Sequence, residues 1–368
     1  MRSDLSADQE LFRETTSRFL DEFVSPAQLR SLRDDPVGFD LTHWRRGVEL
    51  GWTSLLVAES FGGGSISEHG LVDLTLVAHE FGMHAASGPL VSANVVAATL
   101  SDAGSHRDVL EGLLSGAAMA TWCHATPSVD IVIAGTDIIL SGVLRPVQSA
   151  NVADYLLVTG RTDAGLSQVL VPRELAGVSL APMKSVDLTQ RFSVVSFDNV
   201  RVPHDAVVGE LGNAEAMVRR QSLIAGVVAC AESVGAMQHA FDITVEWAFD
   251  RYSFGRPLAS YQALKHRYAD MKAWLEASHA IADAAALAVA SEAPEAAEMV
   301  SIAIAFIGDY GSELLQDCVQ LHGGLGVTFE HDIHLFLRRH TINRTLYGTP
   351  AEHRQLIADA VQSREAAA

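Results

Sequence analysis

The stretch Arg251-Tyr252-Ser253-Phe254-Gly255-Arg256-Pro257-Leu258-Ala259-Ser260-Tyr261-Gln262 decides how the chain is read. It reads as the turn between two long helical patterns, and it gathers an arginine, an aromatic and a glutamine at one place. Arginine presents donors in the forked geometry that a pyrophosphate accepts. The same residue at a helix end also serves as a solvated cap, and Phe254-Gly255 also suits a C-cap with a packed aromatic. About sixty residues on lies Gln320-Leu321-His322-Gly323-Gly324-Leu325-Gly326-Val327-Thr328-Phe329-Glu330-His331-Asp332. Its glycines let backbone approach a ligand and expose N–H groups, or they simply end a helix. His322, His331 and His334 read as packing or surface residues rather than ligands.

Working outward, the chain of 368 residues is long enough for a large core and two or three subdomains. Hydrophobic residues make up 48%, yet no uninterrupted apolar run reaches the roughly 18 residues of a membrane helix. The excess apolar surface is therefore expected between subunits, with no membrane span. The amphipathic, acidic N-terminus lacks a signal peptide's apolar core, which points to a cytoplasmic protein. A net charge of -19 argues against nucleic acid as a partner. An anionic ligand remains open to it, because a local cluster of arginine or backbone N–H groups can bind phosphate. Cys123, Cys230 and Cys318 are distant and odd in number, so neither a disulfide framework nor a metal site is expected.

Residues 1 to about 116 carry helical patterns: Ala7 to Phe23, a helix ending near Leu50 at Gly51, and another through His69 to Phe81. The triple glycine Gly62-Gly63-Gly64 reads as a turn. From Met119 to Val208 short β-branched runs appear at Asp130–Ala134, Asp137–Leu140, Tyr155–Thr159, Gln168–Val171 and Ser193–Phe197. Helical patterns return over 213–250, 259–291, 294–322, 331–344 and 350–363. The fold class is mostly α with a central β-domain. Its expected divisions are 1–117, 118–209 and 210–368.

This order and these motifs resemble the acyl-CoA dehydrogenase family over nearly the whole chain. RYSFGRPLASYQALKHRYADM, from Arg251, is similar to the family signature R-x-x-F-G-x-P-(I/L)-x-x-x-Q. QLHGGLGVTFEHDIHLFLRR, from Gln320, is similar to its Q-x-(H/F/Y)-G-G-x-G string. The segments from Glu49, from Asp187 to Pro203 and from Thr349 also match. The resemblance implies an N-terminal helical domain, a β-barrel middle domain and a C-terminal four-helix bundle that drives tetramer formation. It implies FAD as cofactor. Arg251, Ser253, Phe254 and Gln262 would lie at the pyrophosphate, Gln320, Gly323 and Gly324 at the ADP half in a neighbouring subunit, and Thr349 also at the cofactor. It implies an acyl-CoA substrate and electron-transfer flavoprotein as acceptor.

The chain also departs from the family. The usual base is a glutamate that removes the substrate α-proton. Its position falls on Tyr347, and a phenol is a poor base at neutral pH. The alternative base position falls on Ala225, followed by Gly226. Trp122-Cys123-His124-Ala125-Thr126-Pro127-Ser128 lacks the family's Gly-x-Gly-Ser. Pro146-Val147-Gln148-Ser149 stands where an aromatic-Ile/Val-Thr motif is usual. Glu232, Glu246 and Glu352 are substitutes to be weighed as base. The leading expectation is the base-lacking subunit of an actinobacterial-type heteromeric α2β2 acyl-CoA dehydrogenase. Such enzymes act on fatty acyl or steroid side-chain thioesters in β-oxidation. The alternatives are a self-sufficient homo-oligomer with an unconventional base, and a flavin oxidase or monooxygenase on the same fold.

Overall fold

The computed structural model describes residues 5–123 and 128–367. In chain order the helices are α1 (Ala7–Phe23), α2 (Pro26–Ser31), α3 (Leu41–Glu49), α4 (Gly70–Met83), α5 (Leu90–Ala103) and α6 (Arg107–Ser115). Strands β1 (Ala120–Cys123), β2 (Val129–Ala134), β3 (Asp137–Gln148), β4 (Tyr155–Thr162), β5 (Gly165–Pro172), β6 (Val178–Met183), β7 (Phe192–Pro203) and β8 (Val207–Val208) follow. Then come α7 (Glu215–Asp250), a hairpin of β9 (Tyr252–Ser253) and β10 (Arg256–Pro257), α8 (Gln262–Ala290), α9 (Ala296–Leu321), α10 (Ile333–Leu346) and α11 (Pro350–Ala367).

The chain forms two compact units. One comprises Met1–Gln28, Leu71–Ala86 and Gly226–Ala368; the other comprises Leu29–Gly70 and Ser87–Ala225. In the first, α9 packs against α8, α10 and α11. Helix α1 starts at a capping box: the Ser6 hydroxyl accepts the Gln9 N–H at 3.2 Å, and the Gln9 side chain accepts the Ser6 N–H at 3.0 Å. Helices α4 and α7 meet through glycine on both sides. A Cβ at Gly82 would collide with the Glu232 carbonyl, and one at Gly235 with the His79 carbonyl. By length and composition α7 is apolar enough to cross a membrane, but its most apolar window is 83% buried inside the protein, as in a core helix.

The second unit is built on an eight-stranded sheet, in the order β6-β7-β3-β2-β4-β5-β8, with β1 parallel to β4. Ile131, Ile138, Leu140, Leu156, Val158, Val169, Val195 and Val200 alternate inward to form its core. A buried amide pair ties this sheet to α7: the Gln168 and Gln221 side chains donate to one another at 2.8 Å, and Gln221 also donates to Thr99 Oγ1 at 2.9 Å. The sequence predicts β3 only to Leu140 and does not predict β1 or β6. Strand β3 runs on through bulges at Leu140/Gly142 and Leu144/Val147, which hide its period of two.

Candidate functional site

The turn at 251–262 is a hairpin rather than a plain helix–helix connection. Arg256 pairs with Ser253 and Pro257 with Tyr252. Phe254 and Gly255 form its two-residue loop with φ of 49° and 79°. Positive φ at both loop positions is the geometry of a type I′ turn, which suits glycine and strains a bulky residue. Phe254 is also 97% exposed. Strain at an uncovered aromatic is a pattern found at ligand clamps and switch regions. Arg251 is exposed, with its guanidinium carbon 5.7 Å from the centre of the Trp247 ring. Its carbonyl accepts the Leu258 N–H at 2.9 Å, closing the hairpin base. The Ser253 carbonyl accepts the Tyr261 hydroxyl at 2.7 Å, and Gln262 opens α8 on the exposed side.

The second block caps α9. Gln320, Gly323 and Gly324 are exposed, and a Cβ at either glycine would meet nothing within 4 Å. Gly323 has φ of 61°. The two blocks lie at one corner because Trp247 at the end of α7 stacks on His322 at the end of α9. Their ring centres are 5.5 Å apart and the planes 25° apart. Sequence reading singled out the donors on both sides but not Trp247. Its one signal was its place a single turn before Arg251.

Thr349 starts the last helix. Its N–H and hydroxyl donate to Glu352 at 2.7 and 2.8 Å, and the Glu352 N–H donates back to its hydroxyl at 3.3 Å. This capping box starts α11 and holds the Glu352 carboxyl below its ordinary range, chiefly through the Thr349 N–H.

Tyr347 follows α10 at its C-terminal end. Burial, and then the neighbouring Glu232 carboxylate, push its phenol well above the usual range. Glu232 is held on both oxygens: the Arg339 guanidinium donates to Oε1 at 2.6 Å and the Asn343 amide to Oε2 at 2.9 Å. Arg339 also donates to the Ala85 carbonyl at 3.1 Å and to that of Ala86. Glu246 lies exposed on α7, and Ala225 is fully buried on the same helix. Arg339 closes the string quoted from Gln320 and Asn343 follows one turn on, but the sequence marked neither as a partner of Glu232.

In the sheet unit, the Gln148 amide donates to Gln190 and accepts the Ser92 hydroxyl at 3.4 Å. Ser149 has φ of 53° and its N–H donates to the Arg191 carbonyl at 2.9 Å. His124 to Pro127 of the preceding loop lie outside the described residues. Cys123, Cys230 and Cys318 are free and buried, and burial pushes the thiols of Cys230 and Cys318 up to about 12.

Residues 6–117 match the family Acyl-CoA dehydrogenase, N-terminal domain, and residues 225–362 match Acyl-CoA dehydrogenase, C-terminal domain. Acyl-CoA dehydrogenase IpdE2 of Mycolicibacterium smegmatis is 28% identical over 95% of this chain and 97% of its own length. FadE34 of Mycobacterium tuberculosis is 28% identical over 88% of this chain and 44% of its own. Among solved structures, butyryl-CoA dehydrogenase from Megasphaera elsdenii superimposes with a TM-score of 0.90 at 20% identity, covering 98% of this chain and all of that one. A variant of the Tcur3481-Tcur3483 steroid ACAD does so with a TM-score of 0.88 at 23% identity, covering 98% of this chain and 99% of that one. The chain belongs to the acyl-CoA dehydrogenase family, FAD-dependent oxidoreductases that act on CH–CH groups. The corner between Arg251 and Gly324 suits that cofactor chemically. It offers a forked cation, two glycines with open space beside their backbone, and an uncovered aromatic.

Proposed function

We propose that this chain takes part in α,β-dehydrogenation of an acyl-CoA thioester as the base-lacking subunit of a heteromeric acyl-CoA dehydrogenase. The observation that carries the reading is the fate of carboxylates around the family's base position. Tyr347 occupies that position, and its phenol is held protonated by burial and by Glu232. Glu232 is the neighbouring carboxylate, and Arg339 and Asn343 occupy both its oxygens. A general base must be free to turn toward the proton it takes, and Glu232 is fixed on both oxygens by Arg339 and Asn343. Glu352 is committed to a capping box, and Glu246 is exposed on α7.

Arg251, Ser253, Phe254 and Gln262, with Gln320, Gly323 and Gly324, are the residues that would hold FAD, at its pyrophosphate and ADP half. Bound FAD supplies the two-electron acceptor for the substrate's β-hydrogen. This chain's part is then to clamp the cofactor and complete a subunit interface over Phe254, while a partner subunit contributes the α-proton base. Thr349 contributes a helix cap. The two-component name of the Tcur3481-Tcur3483 steroid ACAD supports a mixed assembly and a bulky acyl chain as substrate. Electron-transfer flavoprotein is the proposed acceptor, and the divisions 1–117, 118–209 and 210–368 are the proposed domains.

The test is anaerobic mixing of acyl-CoA thioesters with the purified chain, alone and co-purified with a family member carrying glutamate at the base position. Flavin bleaching only in the mixed assembly is expected. Rapid bleaching with the chain alone would overturn the reading.

A further inference from the structure

We propose that Trp247 and His322 act as a stacked positioning pair that sets the Arg251 guanidinium and the Gly323-Gly324 turn at one spacing for the cofactor. The inference rests on the FAD reading of this corner.

The geometry runs through three rings and a cation. Arg251 follows Trp247 by one helical turn, with its N–H donating to the Trp247 carbonyl at 2.9 Å and its guanidinium carbon 5.7 Å from the ring centre. Trp247 stacks on His322 at 5.5 Å, and His322 meets His331 at 4.2 Å with the rings 57° apart. Both histidine rings are held by nearby backbone. His322 Nδ1 lies 2.8 Å from the Cys318 carbonyl, so that nitrogen carries the proton and donates. His331 Nδ1 accepts the Ile333 N–H at 3.1 Å. Trp247 Nε1 is buried and has no hydrogen-bond partner among the described residues, so its plane is set by stacking and packing alone.

The glycine turn packs closely on the end of α9 where His322 sits. A Cβ at Gly326 would press on His322 Cβ at 2.9 Å and collide with the Val319 carbonyl. Burial keeps His322 neutral, so no second cation opposes Arg251. A displacement of His322 therefore moves the turn on one side and the Trp247–Arg251 pair on the other. An arginine fork and two backbone donors serve one pyrophosphate-bearing ligand only if their separation is fixed. These rings fix it.

The experiment measures the FAD dissociation constant of the purified assembly, co-expressed with its partner subunit where it has one, by flavin fluorescence after stripping and titration. The variants are Arg251→Ala, His322→Ala, His322→Leu, His322→Phe and the Arg251→Ala/His322→Ala pair. His322→Leu keeps the buried volume without the planar ring, and it replaces His322→Ala throughout if that variant does not assemble. Removing the ring is expected to weaken FAD binding about 3- to 10-fold, the size of an aromatic pair. His322→Phe is expected within about twofold of wild type. The double variant is expected to lose clearly less than the product of the two single losses, because in the Arg251→Ala background His322→Ala acts only through the glycine turn. Additive losses, or a Phe variant as weak as the Leu variant, would overturn the positioning role. Wild-type affinity in Arg251→Ala would instead overturn the FAD reading on which it rests.

Discussion

The Arg339 guanidinium donates to the Glu232 carboxylate at 2.6 Å, with side-chain exposures of 1% and 10%. Two opposite charges so far from water are sustained by mutual attraction and by further partners: the Ala85 and Ala86 carbonyls for arginine, the Asn343 amide for glutamate. The pair joins α7, α10 and the end of α4 in one unit.

Removing one member leaves the other charged and buried. Arg339→Met is expected to destabilise by about 3–5 kcal/mol, and the Arg339→Met/Glu232→Leu pair by clearly less. Urea unfolding of the two variants checks this, and equal losses would show that the charge left behind is not the cost.

Tyr347→Glu places a second carboxylate beside Glu232 in a buried setting, and both effects raise its folded pKa above the unfolded value near 4.3. A raised acid stabilises fully below its unfolded pKa and loses that contribution as pH rises through the folded one. The variant's deficit relative to wild type should therefore grow by about 1–3 kcal/mol from pH 5 to pH 8. Paired urea melts at the two pH values decide it; a constant deficit would place the new carboxylate in solvent.

His340 is wholly buried and its pKa is lowered to about 4, chiefly by burial. The unfolded chain binds this proton first, so native stability is complete above about pH 6.5 and falls as pH drops toward 4. A loss of about 2 kcal/mol between pH 7 and 5 is expected from this residue. His340→Gln, compared by urea melts at both pH values, should remove that slope.

Gly324 has open space where a Cβ would go and no left-handed backbone angle. Gly324→Ala should therefore leave the unfolding midpoint within about 0.5 kcal/mol of wild type while lowering FAD occupancy after purification. Unchanged occupancy would make this residue a helix terminus and nothing more.

Helix α1 and the long C-terminal helices were legible because period 3.6, caps and Gly or Pro stops agree locally. Ala7 to Phe23 is observed as read. The sheet was legible only where strands alternate cleanly; the bulges of β3 erased the signal beyond Leu140. At the candidate site, single-residue chemistry marked Arg251, Phe254 and Gly323. The ring stack of Trp247 on His322 and the Arg339–Glu232 pair join residues 75 or more positions apart, and nothing local in the sequence announces either. The hairpin at Phe254-Gly255 was hidden because phenylalanine is a poor type I′ residue.

The crossing of α4 and α7 at Gly82 and Gly235 has a genetic consequence. Most overpacked substitutions can be rescued by trimming the facing side chain. Here each glycine faces bare main chain, the carbonyls of Glu232 and His79. No exchange of residue at the opposite position can make room, so a suppressor search begun from Gly82→Ala or Gly235→Ala should return true revertants rather than partners across the crossing.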